Sequence, residues 1–214
     1  TFEDAEIKKE ADLLWNSINW ELALARPDGS RLHMVMENGK PKERTVTQMF
    51  NEYFVLGWLV GEFQLQERGK SDVLEIADLP SWNHEGLRLL GEPRSTPQPS
   101  FIVQFPFYMC HPCTVDADFA KFVKAQGLAD RGVGRGHFWG AGAGVTPKNG
   151  YVAASFARNP GTVVSPRIIE GFMPVMPQAR ADLQKLYEDP ARRLKTPAGE
   201  LVPRFSLEDT EWQP

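Results

Sequence analysis

The chain holds only two cysteines and four histidines in 214 residues. So few cysteines exclude a disulfide framework of the kind that staples small secreted domains. So few histidines leave little material for a metal centre. Charge of one sign is also scarce: 24 Lys and Arg face 28 Asp and Glu, for a net −4. That balance serves solubility and provides no basic stripe for nucleic acid. The densest basic run, Arg192-Arg193-Leu194-Lys195, sits beside Glu188, Asp189 and Glu200 and reads as a solvated turn. The longest apolar stretch, Tyr53 to Val60, is bounded by Glu52 and Glu62. It falls well short of the roughly 20 residues a membrane span needs. No Asn-X-Ser/Thr sequon, Gly-X-Ser-X-Gly or His-Glu-X-X-His motif is present, and no Gly-Lys-Ser/Thr follows the glycine runs at 132–136 and 140–144.

What is present is ordinary globular material with a loop-rich accent. Hydrophobic residues make up 42% and charged residues 24% of the chain, which is enough to build a core. Eighteen glycines and 17 prolines predict long irregular connections. Aromatic residues scattered through those connections argue that they are ordered. The expected fold is α+β, a modest antiparallel sheet covered by three or four helices. A single domain over 1–190 is followed by an extended arm over 191–214.

Periodicity supplies the elements. Ile7, Ala11, Leu14, Trp15 and Ile18 fall on one face of a helix over 4–17. Pro27-Asp28-Gly29-Ser30 reads as the turn of a hairpin joining Trp20–Leu24 to Leu32–Met36, and Asn38-Gly39 as a second turn. The longest helix is expected from about 46 to 66, with Thr45 and Gln48 as a capping box. Residues 79–100 read as irregular, and Phe101–Phe105 as a strand. A helix over about 115–126 is expected to be capped by Thr114 and closed by Gly127. Tyr151–Ala157 and Arg167–Phe172 are strand candidates. Pro177 opens a last helix over 178–187.

One motif carries chemistry. Cys110-His111-Pro112-Cys113 lies between the expected strand and the expected helix start, where a helix dipole would stabilise a thiolate. Strand, Cys-X-X-Cys and helix in that order resemble the active-site segment of thioredoxin-like oxidoreductases. The resemblance implies Cys110 as nucleophile, Cys113 as resolving thiol and Ser165-Pro166 as the facing proline. It implies a thiol–disulfide exchange activity. The same two cysteines with His84 and His137, or His33, could instead ligate zinc. Inert, reduced thiols are the third reading.

Two glycine runs, Gly132 to Gly136 and Gly140 to Gly144, could hold an anion with Arg131, Arg135 and His137. Turns needing positive φ explain the glycines as well. In the arm, Leu201, Phe205 and Trp212 are the side chains expected to pack, on this chain or on a partner. The primary functional expectation is a non-catalytic binding or assembly subunit that needs no cofactor and meets a protein partner or a second copy of itself. The alternative is the oxidoreductase. A reducing compartment, cytoplasm or organelle matrix, is expected from the cysteine usage.

Overall fold

The computed structural model describes residues 4–47, 50–71, 73, 75–93, 97–153, 163–189, 202–209 and 211–212. Among them are seven α-helices and four antiparallel two-stranded sheets, so the fold is α+β with little sheet. The chain divides into two compact units, one of Thr1–Gln48 with Leu56–Leu74, the other of Met49–Val55 with Glu75–Pro214. No described helix is long and apolar enough to cross a membrane.

The first unit opens with α1 (Ala5–Ser17), set by Asp4, whose carboxylate accepts the backbone N–H groups of Glu6 and Ile7. The predicted helix is there, yet none of its residues is buried, and Leu14 is 66% exposed. Trp15 leans on Trp20, ring centroids 4.5 Å apart, and Trp20 Nε1 donates to the Trp15 carbonyl. Trp20–Ala23 form a 3₁₀ turn where a strand was expected, and the hairpin shrinks to one bridge between Leu24 and Leu32. At Asn38-Gly39 the turn reading holds. Both residues have positive φ (51° and 72°), as a two-residue hairpin demands, and they join β1 (Met36–Glu37) to β2 (Lys40–Pro41).

The long helix, α2 (Phe54–Arg68), starts well after the expected position. Val46 pairs as a bridge with His33 instead, and Thr45 donates its hydroxyl to the Lys42 carbonyl, so the capping box does not form. Gly57 and Gly61 are buried on α2. A Cβ on Gly61 would stand 3.0 Å from Ser71 Oγ, which is the close approach the glycine permits.

The second unit is the larger. Residues 79–100, expected to be irregular, contain the hairpin β3 (Ser81–His84) and β4 (Leu87–Leu90) around Glu85-Gly86, both at positive φ. Phe101–Phe105 is not a strand. It belongs to α3 (Phe101–Met109), which carries Pro106 in its interior and buries Ile102, Val103, Pro106 and Phe107. A short apolar run has no period to distinguish strand from buried helix, and here packing decided.

After α4 (His111–Val115) comes α5 (Ala117–Val133), capped by Asp116, which accepts from the N–H groups of Asp118 and Phe119. Thr114 is not the cap; its hydroxyl turns back to the carbonyls of Phe107 and Cys110. The helix runs past Gly127, which lies buried against Phe172.

A hairpin of β5 (Ala143–Thr146) and β6 (Gly150–Ala153) follows. Then β7 (Val163–Val164) pairs with β8 (Phe205–Ser206) from the C-terminal segment. Arg167–Phe172 also departs from the strand expectation: α6 (Pro166–Glu170) begins at its proline. The last helix, α7 (Pro177–Glu188), is where the sequence places it. Leu89 of β4, Ala129 of α5 and Ala141 form one cluster of the core, with Trp82, Leu87 and Ala125 against it.

Candidate functional site

Two constellations in the second unit carry the polar chemistry. The first is the cysteine corner between α3 and α4. Cys110 ends one helix and begins the next, its N–H donating to the Pro106 carbonyl while its own carbonyl accepts from Thr114 N–H. Cys113 sits one turn further on. Both are unbridged thiols, 0% and 2% exposed, and they are hydrogen-bonded to each other. The bond holds the Cys110 thiol below the ordinary cysteine range against the opposing effect of burial. It drives Cys113 the other way, well above that range, with burial and the charges of Cys110 and Asp116 adding to it. The corner thus consists of one thiolate-prone sulfur and one firm proton donor.

The second constellation fixes the glycine-rich segment between α5 and β5. Asp130 lies on the apolar stripe of α5, following Phe119, Phe122, Val123 and Gln126, and is 1% exposed. Its carboxylate accepts from Ser100 Oγ at 2.5 Å and from Gly140 N–H at 3.1 Å. Burial pushes its pKa up to about 6, opposed by the hydrogen bonds of Ser100, Gly140 and Ala141. Asp182 of α7 accepts from Arg131 Nε and from Trp139 Nε1 at 3.0 Å.

Arg204, 5% exposed, reaches in from the C-terminal segment. Its Nη1 donates to the Ala141 carbonyl and to Ser165 Oγ, both at 2.8 Å. Burial pulls this guanidinium below its ordinary pKa. A Cβ on Gly144 would stand 3.0 Å from Arg204 Nη1, so the glycine makes room for the guanidinium.

Each residue singled out from the sequence has a definite place. Arg131 is committed to Asp182, and its pKa is raised by that bond. Arg135 is exposed in the tight turn it closes with Phe138, and the His137 ring lies tilted against Phe138, centroids 4.0 Å apart. His84 lies edge-on to Trp82 in β3. Among the described residues no three of His, Cys, Asp and Glu gather as a metal site would require, so the set Cys110, Cys113, His84 and His137 is not brought together. Pro166 opens α6 and does not precede a strand as the facing proline of a thioredoxin-like fold would.

In the arm, Phe205 is buried and paired in β8, Trp212 is half-buried, and Leu201 lies outside the described residues. Asp130, Asp182 and Arg204 escaped the sequence reading, and Ser165 entered it only as the residue before Pro166. A signal existed for the two acids: each occupies a core position of its helix, Asp182 between Ala179 and Leu186.

No family model matches the chain, and no curated protein does. Solved structures do match. The crystal structure of a "putative glucoamylase" from Bacteroides uniformis ATCC 8492 aligns with 100% of this chain at a TM-score of 0.72 and 20% identity. Structures bearing the same description from Bacteroides caccae ATCC 43185 and Bacteroides fragilis NCTC 9343 align with 98% and 99% of it. Their TM-scores are 0.70 and 0.68, at 18% and 20% identity. The chain spans 57%, 55% and 55% of those three proteins, little more than half of each. At this identity the likeness is one of fold.

Proposed function

We propose that this chain works within a carbohydrate-processing domain and acts on glucose-containing polysaccharides, as the description of the three Bacteroides proteins suggests. The observation that carries the reading is the end-to-end alignment at a TM-score of 0.72. Glycoside cleavage uses two carboxyl groups, one as acid and one as base or nucleophile. Asp130 and Asp182 do not supply that pair. Both are buried and held by donors that fix the segment around Gly140, which makes them supports of a rigid loop. The reacting pair is therefore to be sought among exposed acids. The test is release of reducing ends from a panel of soluble α- and β-linked glucans by the purified protein. Turnover or saturable binding of one glucan class is expected. A protein that neither binds nor cleaves any of them overturns the reading.

A second reading, the non-catalytic binding or assembly subunit, is favoured by α1. Its apolar positions Ile7, Leu14 and Ile18 are 51%, 66% and 45% exposed, an unusual cost for an amphipathic helix. Sedimentation of the purified protein tests it. A strictly monomeric protein whose mass never changes in the presence of a cell extract counts against assembly. Thiol–disulfide exchange with an outside substrate is the reading the geometry favours least, because its nucleophile would need to be reached and Cys110 is fully buried.

A further inference from the structure

The Cys110–Cys113 pair is left over by the carbohydrate reading. Both thiols are free and buried, one helical turn apart. The two residues stand three apart on a helical corner whose backbone is pinned on both sides. Cys110 N–H is held by Pro106, Cys110 O by Thr114 N–H, and Thr114 Oγ1 donates to the carbonyls of both Phe107 and Cys110. The thiols are paired through a hydrogen bond, and burial at 0% and 2% exposure shields both from solvent.

We propose that Cys110 and Cys113 form a self-contained redox switch. A peroxide closes them into an intramolecular disulfide that locks the α3–α4 corner, and a dithiol reductant reopens it. No outside thiol is exchanged, which separates the device from an oxidoreductase. The Cys110 thiolate attacks one oxygen of the peroxide, forming a sulfur–oxygen bond and breaking the oxygen–oxygen bond. The alcohol or water released takes up a proton. The Cys113 sulfur then attacks Cys110, forming the disulfide and expelling the remaining oxygen as water with the Cys113 proton. Two thiols are oxidised by two electrons and the peroxide is reduced by two.

The hydrogen bond between the two thiols, which lowers the Cys110 thiol and raises that of Cys113, supports Cys110 as the first to react. Burial slows entry to the rate of local opening. It also favours the neighbouring thiol over a second peroxide as the next reactant.

The test is intact-mass spectrometry of the folded protein after brief hydrogen peroxide treatment. The expected product is a monomer lighter by two hydrogen atoms, with a Cys110–Cys113 bridge in its peptide map, and dithiothreitol restores the starting mass. In Cys113→Ser the sulfenic acid on Cys110 should persist and be trapped by dimedone. Three outcomes in the wild-type protein alone overturn the proposal: a gain of two or three oxygens on either cysteine, a disulfide-linked dimer, or two intact thiols under conditions that oxidise the urea-unfolded chain.

Discussion

Ser100, at the entrance of α3, donates its hydroxyl to Asp130 in the middle of the core at 2.5 Å, tying residues 30 positions apart. The bond compensates only part of the cost of placing a carboxylate there, and the remainder is a pH dependence. Folded Asp130 titrates near 6, while an unfolded aspartate titrates near 3.9. Between those values the folded state binds a proton that the unfolded state does not. Stability therefore falls as pH rises from about 4 to about 6 and is flat above, a change on the order of 3 kcal/mol. Urea unfolding at several pH values should show this slope in the wild-type protein and lose it in Asp130→Asn. Parallel profiles for the two proteins would refute the assignment.

Replacing Asp182 with Ala leaves two donors behind. Arg131 is 38% exposed and returns to water, but Trp139 is 2% exposed and its indole N–H cannot. The expected loss is about 2–3 kcal/mol, most of it from the orphaned indole. Arg131→Gln keeps a side-chain donor near the buried Asp182 carboxylate and should cost less, about 1–2 kcal/mol. Equal losses in the two variants would show that the ion pair, not the indole bond, is what matters.

Two glycines of α5 should respond to alanine with opposite sign. On Gly127 a Cβ would lie 2.8 Å from Phe172 Cδ1, and Phe172 is fully buried and stacked on Trp139. Overpacking there should outweigh the helix-propensity gain and destabilise by about 1–3 kcal/mol. At Gly132 nothing stands within 4 Å. Gly132→Ala should therefore stabilise by up to about 1 kcal/mol. Thermal midpoints of the two variants decide the point, and a stabilised Gly127→Ala would mean that Phe172 moves aside freely.

Removing residues 200–214 should damage the second unit and do more than loosen a tail. The deletion takes away Arg204, which anchors Ala141 and Ser165, and the β8 partner of β7. Phe205 alone is worth about 3–5 kcal/mol on truncation to Ala if its site cannot collapse. Trp212→Ala, at a half-buried position, should cost much less. Unfolding midpoints that are unchanged by the deletion would show that the C-terminal pairing does not support the fold.

Local chemistry made several elements legible from the chain. Asp4 before a periodic apolar face, Asn38-Gly39 and Pro177 act through their own backbone dihedrals and hydrogen bonds, so α1, the β1–β2 turn and the start of α7 appear where the sequence places them. The cysteine spacing likewise brought Cys110 and Cys113 together, because three residues along a helix is one turn.

Other features had no local cause. Phe101–Phe105 is apolar on every side, and only its burial within the second unit made it a helix. Thr114 falls inside α4 and gives its hydroxyl to the carbonyls of Phe107 and Cys110, which leaves Asp116, two residues on, as the cap of α5. The exposure of α1 could not be read from its pattern, since periodicity shows which face is apolar and not whether anything covers it. Asp130, Asp182 and Arg204 became the polar frame of the glycine-rich segment through partners as far as 63 residues away. Hydrogen bonds of that range exist only once the chain has closed on itself, and so they belong to the tertiary structure alone.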